Sequence, residues 1–269
     1  MTAHHLINRR VAIKEMGKAG LAIVVFGAAA CSDSPEATTT TRTPDSTSIP
    51  PSPTTTMTTS TTLATTTTVG PPEATSFHRV DLSFVSAYIL YRSGEAALVD
   101  TGVEGSADAI EASLGQVGLG WDSVGHVILT HKHPDHVGSL DTIIERAPAA
   151  EVYAGAADIP AIVSTVPPTA VGDGALVFDL EIIGTPGHTA GHISVLDSLA
   201  GILVAGDALI GSGGGVTGPD SGFSEDMTMA VASVRKLATF DYEVALFGHG
   251  DPVLDSASAA VADLATGLG

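Results

Sequence analysis

The sequence predicts an α/β domain: strands come first as a block and then alternate with helices, an order that allows two β-sheets packed face to face with helices outside. Two observations carry this. Apolar, β-branched runs of strand length recur between residues 79 and 247, and five of them lead into a His or Asp with a Gly close by. Strands are expected near 79–82, 84–91 and 95–100, where Tyr88-Ile89-Leu90-Tyr91 and Ala97-Leu98-Val99 suit a pleated, half-buried surface. A helix follows near 106–117. The run Gly125–Thr130 (GHVILT) reads as a buried strand, placed near 126–130. Helix near 138–146, strand near 151–153 and helix near 156–164 come next. Strands near 176–183, 192–197 and 201–205 then succeed one another. A helix near 225–238, a strand near 243–247 and a helix near 255–266 complete the domain. Ile210 to Gly222 is rich in glycine and is expected to be a mobile segment that shapes a pocket mouth.

The densest chemistry is His131-Lys132-His133-Pro134-Asp135-His136, three imidazoles and a carboxylate in six residues at a strand's C-terminal end. Pro134 disfavours helix at His133, so His131 and His133 are expected on a loop. Neutral imidazole and carboxylate are usual ligands for zinc and also suit iron or manganese. Further candidates each follow an apolar run. Thr185-Pro186-Gly187-His188-Thr189-Ala190-Gly191-His192 follows Leu180–Gly184. Gly206-Asp207 follows Gly201–Ala205, Gly248-His249-Gly250 follows Glu243–Phe247, and Asp100-Thr101-Gly102 follows Ala96–Val99. Glycine lets the backbone turn sharply and approach a shared centre, the pattern of a site built on one edge of packed sheets.

Taken in order, H-x-H-x-D-H, T-P-G-H-T-x-G-H, G-D and G-H-G, preceded by L-V-D-T-G, resemble the metallo-β-lactamase superfamily from about Phe77 to the C-terminus. The resemblance implies an αββα sandwich, two mixed β-sheets face to face with helices outside. It implies that His131, His133 and His188 hold one metal ion, that Asp135, His136 and His249 hold a second, and that Asp207 bridges both. Asp100 matches an acid that supports the metal loop from behind; its plainer reading is a turn residue before Gly102. Seven ligating groups exceed the four that one tetrahedral zinc takes. The expected cofactor is therefore a pair of divalent ions, zinc first, with iron or manganese as alternatives.

The implied reaction is hydrolysis. A metal-bridging hydroxide attacks an ester, thioester, lactone or amide carbonyl, with Asp135 orienting it or accepting its proton. The absence of any cysteine beyond Cys31 excludes the zinc β-lactamases that use a cysteine ligand, and a bridging Asp207 disfavours β-lactamases generally. The short stretch after His249 is expected to leave no room for the helical extension with which glyoxalase II grips glutathione, and no inserted nuclease domain is expected. A lactonase or general esterase is the expected type. Two readings from other classes stand beside it: a mononuclear iron oxidoreductase of the persulfide dioxygenase type, and a non-catalytic surface lipoprotein. The second has no need of a bridging aspartate.

Other polar residues have plainer readings. His192 is expected as a hydrogen-bonded loop histidine, His126 as a strand histidine, Lys132 as a solvated lysine, and Tyr88 and Tyr91 as strand packing. His4, His5 and His78 lie outside the constellation.

Residues 1–31 read as a signal peptide. Asn8 to Lys14 is basic, Ala19 to Ala30 is uncharged and mostly apolar, and Cys31 follows three alanines. As a helix the apolar stretch spans about 18 Å, short of the roughly 30 Å hydrocarbon core of a bilayer, so it is not a stable membrane span. The pattern resembles a bacterial lipoprotein signal with Cys31 as the lipidated N-terminus, although Ala28 stands where leucine is commonest. Arg9-Arg10 with Lys14 also resembles a twin-arginine export signal, with Ala12 in place of the usual phenylalanine. Residues 32–76, dominated by Thr, Pro and Ser, are expected to be a disordered tether, and residues 77–269 the catalytic domain. The expected location is the extracytoplasmic face of a membrane.

Composition narrows the partners. The 269 residues include 30 acidic and 11 basic side chains, a net charge of −19. Residues 1–30 hold Arg9, Arg10, Lys14, Lys18 and Glu15, which leaves 29 acids and 7 bases beyond them. Nucleic-acid binding needs a basic footprint and is disfavoured. The expected partners are a small-molecule substrate and, through the anchor, a membrane. With Cys31 the only cysteine, no internal disulfide forms.

Overall fold

The computed structural model describes residues 73–268; the signal segment with Cys31 and nearly all of the expected tether lie outside them. Among the described residues the elements are β1 (Ser76–Asp81), β2 (Ser86–Arg92), β3 (Glu95–Val99), α1 (Ala107–Gln116), β4 (Val124–Leu129), α2 (Pro134–Val137), α3 (Leu140–Arg146), β5 (Glu151–Gly155), β6 (Thr169–Val171), β7 (Leu176–Val177), β8 (Leu180–Gly184), β9 (Ile193–Asp197), β10 (Ile202–Gly206), β11 (Ile210–Ser212), β12 (Gly215–Thr217), α4 (Met227–Leu237), β13 (Val244–Phe247) and α5 (Ala257–Gly267).

One sheet has the order β1-β2-β3-β4-β5-β6, antiparallel through β3 and parallel from β3 to β6. The second has the order β13-β10-β9-β8-β7, with β10 and β13 parallel and the rest antiparallel. Side chains alternate between the faces of a strand, and here both faces are apolar. Tyr88, Leu90, Ala97, Val99 and Ile128 of the first sheet meet Ile182, Ile193, Val195, Val204 and Leu246 of the second in a central layer. Their immediate neighbours point outward. Ile89, Leu98, Val127 and Leu129 pack on Ile110 and Leu114 of α1 and on Leu140 and Ile143 of α3. Leu196, Leu203, Ala245 and Phe247 pack on Val234 and Leu237 of α4 and Val261 of α5. This is the αββα sandwich. Each fully buried Leu, Ile or Phe contributes roughly 1.5–3 kcal/mol by leaving water.

Three expectations need correction. The helix near 156–164 is a single turn at Ile159–Ala161; Pro160 lacks the N–H a helix interior needs, and β-branched Ile162 and Val163 follow it. The strand near 176–183 is two strands, because Phe178 and Asp179 turn the chain with φ of 54° and 55°. The glycine-rich segment after Asp207, for which no strand was expected, carries a hairpin of β11 and β12 closed by Gly213 and Gly214, both at positive φ, as a tight hairpin turn requires. The sequence reading missed that hairpin and the short edge strand β6.

Candidate metal centre

The predicted site residues all follow strand ends on one edge of the sandwich. Asp100 follows β3, Thr130 and His131 follow β4, the loop carrying His188 follows β8, Asp207 follows β10 and His249 follows β13. Backbone hydrogen bonds sew the two sheets together there. Ile193 N–H donates to Thr130 O at 2.9 Å, and Ser86 N–H donates to Gly248 O at 2.8 Å. His133 is extended (φ −65°, ψ 145°), and Pro134 opens the short helix α2, which carries Asp135 and His136. Two glycines are required by close approach. A Cβ on Gly248 would lie 2.1 Å from Asp207 Oδ1, and one on Gly206, at φ +57°, would lie 2.8 Å from His192 Nε2.

The seven side chains converge. His131 Nε2 and His188 Nε2 each lie 2.9 Å from His133 Nδ1. His249 Nε2 lies 3.3 Å from Asp135 Oδ2, and His136 Nε2 lies 3.7 Å from the same oxygen. The Asp207 carboxylate stands between the two groups. Its oxygens are 3.2 Å from His249 Nε2, 3.4 Å from His136 Nε2, 3.4 Å from His188 Nε2 and 3.9 Å from His131 Nε2.

Outer partners set which nitrogens face inward. The Asp100 carboxylate accepts from Thr130 N–H at 2.7 Å, from the Thr130 hydroxyl at 2.7 Å and from His136 Nδ1 at 2.8 Å. The Thr130 hydroxyl, its proton committed to Asp100, accepts from His131 Nδ1 at 3.0 Å. The Phe84 carbonyl accepts from His249 Nδ1 at 2.6 Å. His131, His136 and His249 thus spend their outer protons and aim Nε2 at the centre, the orientation metal-ligating imidazoles need. Asp100 itself sits at φ 63°, a strained position for a non-glycine residue, held by those three bonds. It does more than form a turn.

The residues fit metal ions. Three sets lie close enough to share one cation: His131, His133 and His188; His131, His136 and Asp207; Asp135, His136 and His249. Buried His136 Nε2 and Asp207 Oδ1 face each other without a hydrogen-bond partner. Neighbouring ligands on a tetrahedral ion with bonds of 2.0–2.2 Å are roughly 3.3–3.6 Å apart, within the range of the inward distances here.

Charge in the metal-free site is divided. Burial opposes ionisation of Asp207, but His136, His249 and His131 outweigh it and hold the carboxyl well below its usual value. Burial likewise opposes a charge on His136, yet Asp100 and Asp207 raise it well above the ordinary imidazole value. Hydrogen bonds to Asp135 and Asp207 raise His249 to about 10. Burial pushes His131, His133 and His188 down. The set of His131, His133 and His188 is therefore neutral, and His136 and His249 carry protons where a cation would sit.

Residues 80–249 match the Metallo-beta-lactamase superfamily family, Lactamase_B. The chain belongs to the metallo-beta-lactamase superfamily. It is 34% identical over 152 residues to the protein YobT of Bacillus subtilis (strain 168), a match covering 48% of this chain and 64% of YobT. It is 30% identical over 179 residues to the thioesterase pkgB of Emericella nidulans, covering 65% of this chain and 48% of that protein. The matches thus span about half to two thirds of these relatives' own length. The crystal structure of metallo-beta-lactamase family protein TTHA1429 from Thermus thermophilus matches with a TM-score of 0.56 at 24% identity, covering 72% of this chain and 79% of that one; the likeness is one of fold.

This superfamily member contains supporting residues that the sequence reading passed over. Fully buried Asp158 accepts from Lys132 N–H at 3.0 Å, from the Thr189 hydroxyl at 2.6 Å and from Gly191 N–H at 2.8 Å. It ties the loop of His131 and His133 to the loop of His188. Its sequence neighbourhood carries no such signal, because its partners lie 26 to 33 positions away. Glu225 makes a parallel tie, accepting from Lys132 Nζ at 2.6 Å and from Ala190 N–H at 3.0 Å. Lys132 is thus ion-paired rather than freely solvated.

His192 stays outside the cluster. Its Nε2 accepts from Asp207 N–H at 3.0 Å, and its Nδ1 meets the Thr185 hydroxyl at 2.8 Å. Burial lowers its pKa to about 3, so it remains neutral and fixes the Asp207 backbone. His126 packs between Tyr153 and Phe178, away from the site. Tyr88 donates its hydroxyl to Phe247 O at 2.7 Å.

Proposed function

We propose that the chain is a metal-dependent hydrolase acting on the carbonyl of an ester, thioester, lactone or amide. The convergence of His131, His133, His188, Asp135, His136, His249 and Asp207 carries the reading. The first three would hold one ion, Asp135, His136 and His249 a second, and Asp207 both. When bound there, two divalent ions, zinc first, would supply a nucleophilic hydroxide at neutral pH and polarise the carbonyl. The chain's own residues do the rest. Asp100, Thr130 and the Phe84 carbonyl hold the imidazoles in register. Asp135, a half-buried carboxylate held below its usual value by its hydrogen bond to His249, is placed to take the proton of the attacking water. The name of the thioesterase relative agrees with carbonyl chemistry. A site for a single iron would leave the Asp135–His249 pair without a task.

The test is a panel of chromogenic ester, thioester, lactone, β-lactam and phosphodiester substrates, run with metal analysis. Turnover of a carbonyl substrate with two metals per chain is the expected result. One iron per chain, with oxygen consumed and no hydrolysis, would establish the oxidoreductase instead.

We further infer that Cys31 carries a lipid and that the domain is displayed outside the cytoplasm. The support is the order of parts: basic start, apolar run, three alanines, cysteine, then a Thr/Pro/Ser-rich stretch. Among the described residues no helix is long and apolar enough to cross a membrane. Cys31→Ser is expected to move the protein from the membrane fraction to the soluble fraction with turnover retained. A full-length, unprocessed protein found in the cytoplasm would sink the inference.

A further inference from the structure

We propose that the cavity beside the site selects an uncharged acyl group with an apolar chain and rejects acyl groups that end in a carboxylate. The inference rests on the hydrolase reading and names its substrate class. The cavity, about 620 Å³, has room for a drug-sized molecule. The cluster lines one part of it, through His133, His188, Asp135, Asp207 and His249. Phe84, Ile210, Phe223 and Asp220 line the rest, beside Pro134.

Two of these side chains are large, apolar and unusually bare. Phe84 is 59% exposed and Phe223 is 72% exposed. Single exposed apolar residues need no explanation, but two from distant parts of the chain at one cavity do. Neither is a loose tip. The Phe84 carbonyl is tied to His249 Nδ1, and its ring lies nearly parallel to that imidazole, 11° off, with centroids 6.3 Å apart. Phe223 sits in a turn built by Asp220, whose carbonyl accepts from Phe223 N–H and whose Oδ1 accepts from Gly222 N–H. The backbone carrying each ring is thus held in place, and an apolar chain passing between solvent and the cluster would cover both rings.

The charges point the same way. Three carboxylates line the cavity, Asp135, Asp207 and Asp220; the first two are assigned to the metal ions, which leaves Asp220 as the formal charge on the remaining wall. Among the described residues, no lysine or arginine lines the cavity. Two cations close to the site, Lys132 between His131 and His133 and Arg79 reaching Gly250 beside His249, are already engaged. Lys132 pairs with Glu225 at 2.6 Å. Arg79 pairs with Asp251 at 3.1 Å and donates to Gly250 O at 3.0 Å. A carboxylate on the distal end of a substrate would therefore meet no partner and face Asp220. The net charge of −19 on the chain repels it further.

The experiment compares 4-nitrophenyl esters of straight acyl chains from acetyl to octanoyl with the matching ω-carboxyl esters, on the metal-loaded full chain. Binding of 2-decanone and of 9-oxodecanoate, read by calorimetry, provides a measure independent of turnover. The expected kcat/KM rises about fourfold per added methylene and is at least about 100-fold lower for the ω-carboxyl ester of equal length. Phe223→Ala is expected to cut the octanoyl-to-acetyl ratio about tenfold, with Phe223→Leu restoring most of it. Asp220→Asn, which keeps the bond to Gly222 N–H, is expected to narrow the discrimination against the carboxylate. Equal rates and equal affinities for neutral and ω-carboxyl compounds would overturn the proposal, as would a chain-length series that is flat. If 2-decanone binds in preference to 9-oxodecanoate while no ester is turned over, the cavity assignment stands and the hydrolase reading falls.

Discussion

Asp207→Asn is expected to lower turnover well beyond the ~10–100-fold that losing an outer hydrogen-bonding partner costs at a metal site. The variant keeps the shape of the side chain and removes its charge. Asp207 lies within 3.2–3.9 Å of imidazole nitrogens on His131, His136, His188 and His249, so one substitution withdraws the anion common to both halves of the cluster. The fold should survive. The bond that places this residue runs from its backbone N–H to His192 Nε2, and the packing of β10 is contributed by Ile202 to Ala205. Metal analysis and circular dichroism on the same sample separate the two effects. The expected result is a native spectrum with fewer ions per chain. Full turnover at an unchanged ion count would refute a bridging role.

Stripping metal with a chelator is expected to abolish hydrolysis while leaving a folded domain, and reloading is expected to restore it. At a free ion concentration 1,000 times Kd, binding stabilises the fold by about 4 kcal/mol, or roughly 8–16 °C in Tm for a domain of this size. Loading should also release protons. His249 is raised to about 10 by its bonds to Asp135 and Asp207, and His136 is raised well above its ordinary value against the opposing effect of burial. Both are cations at pH 7 in the metal-free protein, and each must lose its inward proton to bind a metal. Asp207 is depressed and has none to give. Titrations in buffers of different ionisation enthalpy read this release directly.

The same shifts set the pH dependence of the metal-free state. A folded pKa raised above the unfolded value of ~6.5 stabilises fully below 6.5 and loses that contribution as pH climbs through the folded value. For His249 the window runs from about 6.5 to about 10. Thermal melts of stripped protein should therefore fall across that window by more than melts of loaded protein. Parallel curves would show that these imidazoles are not paired as described.

The sequence by itself determined the α/β class, most strand positions and the five strand ends that carry a His or Asp, because these are local facts. Hydrophobic periodicity is written within a few residues, as in Val127-Ile128-Leu129, whose members alternate between two cores. Glycine beside a ligand-type residue is equally local, as in Gly206-Asp207 and Gly248-His249. The split of 176–183 and the hairpin after Asp207 were also written locally, in Asp179 and in Gly213-Gly214, but the reading merged the first into one strand and took the second only as a mobile glycine-rich segment. Only the tertiary structure decided how the imidazoles are aimed and what holds the loops. His249 takes its orientation from the Phe84 carbonyl, 165 positions away, and His136 from Asp100, 36 away. Asp158 fastens two loops from a segment near 156–164 that reads from the sequence as a helix. The physical reason is that a hydrogen bond or an ion pair depends on distance in space, whereas the patterns legible in a sequence depend on distance along the chain.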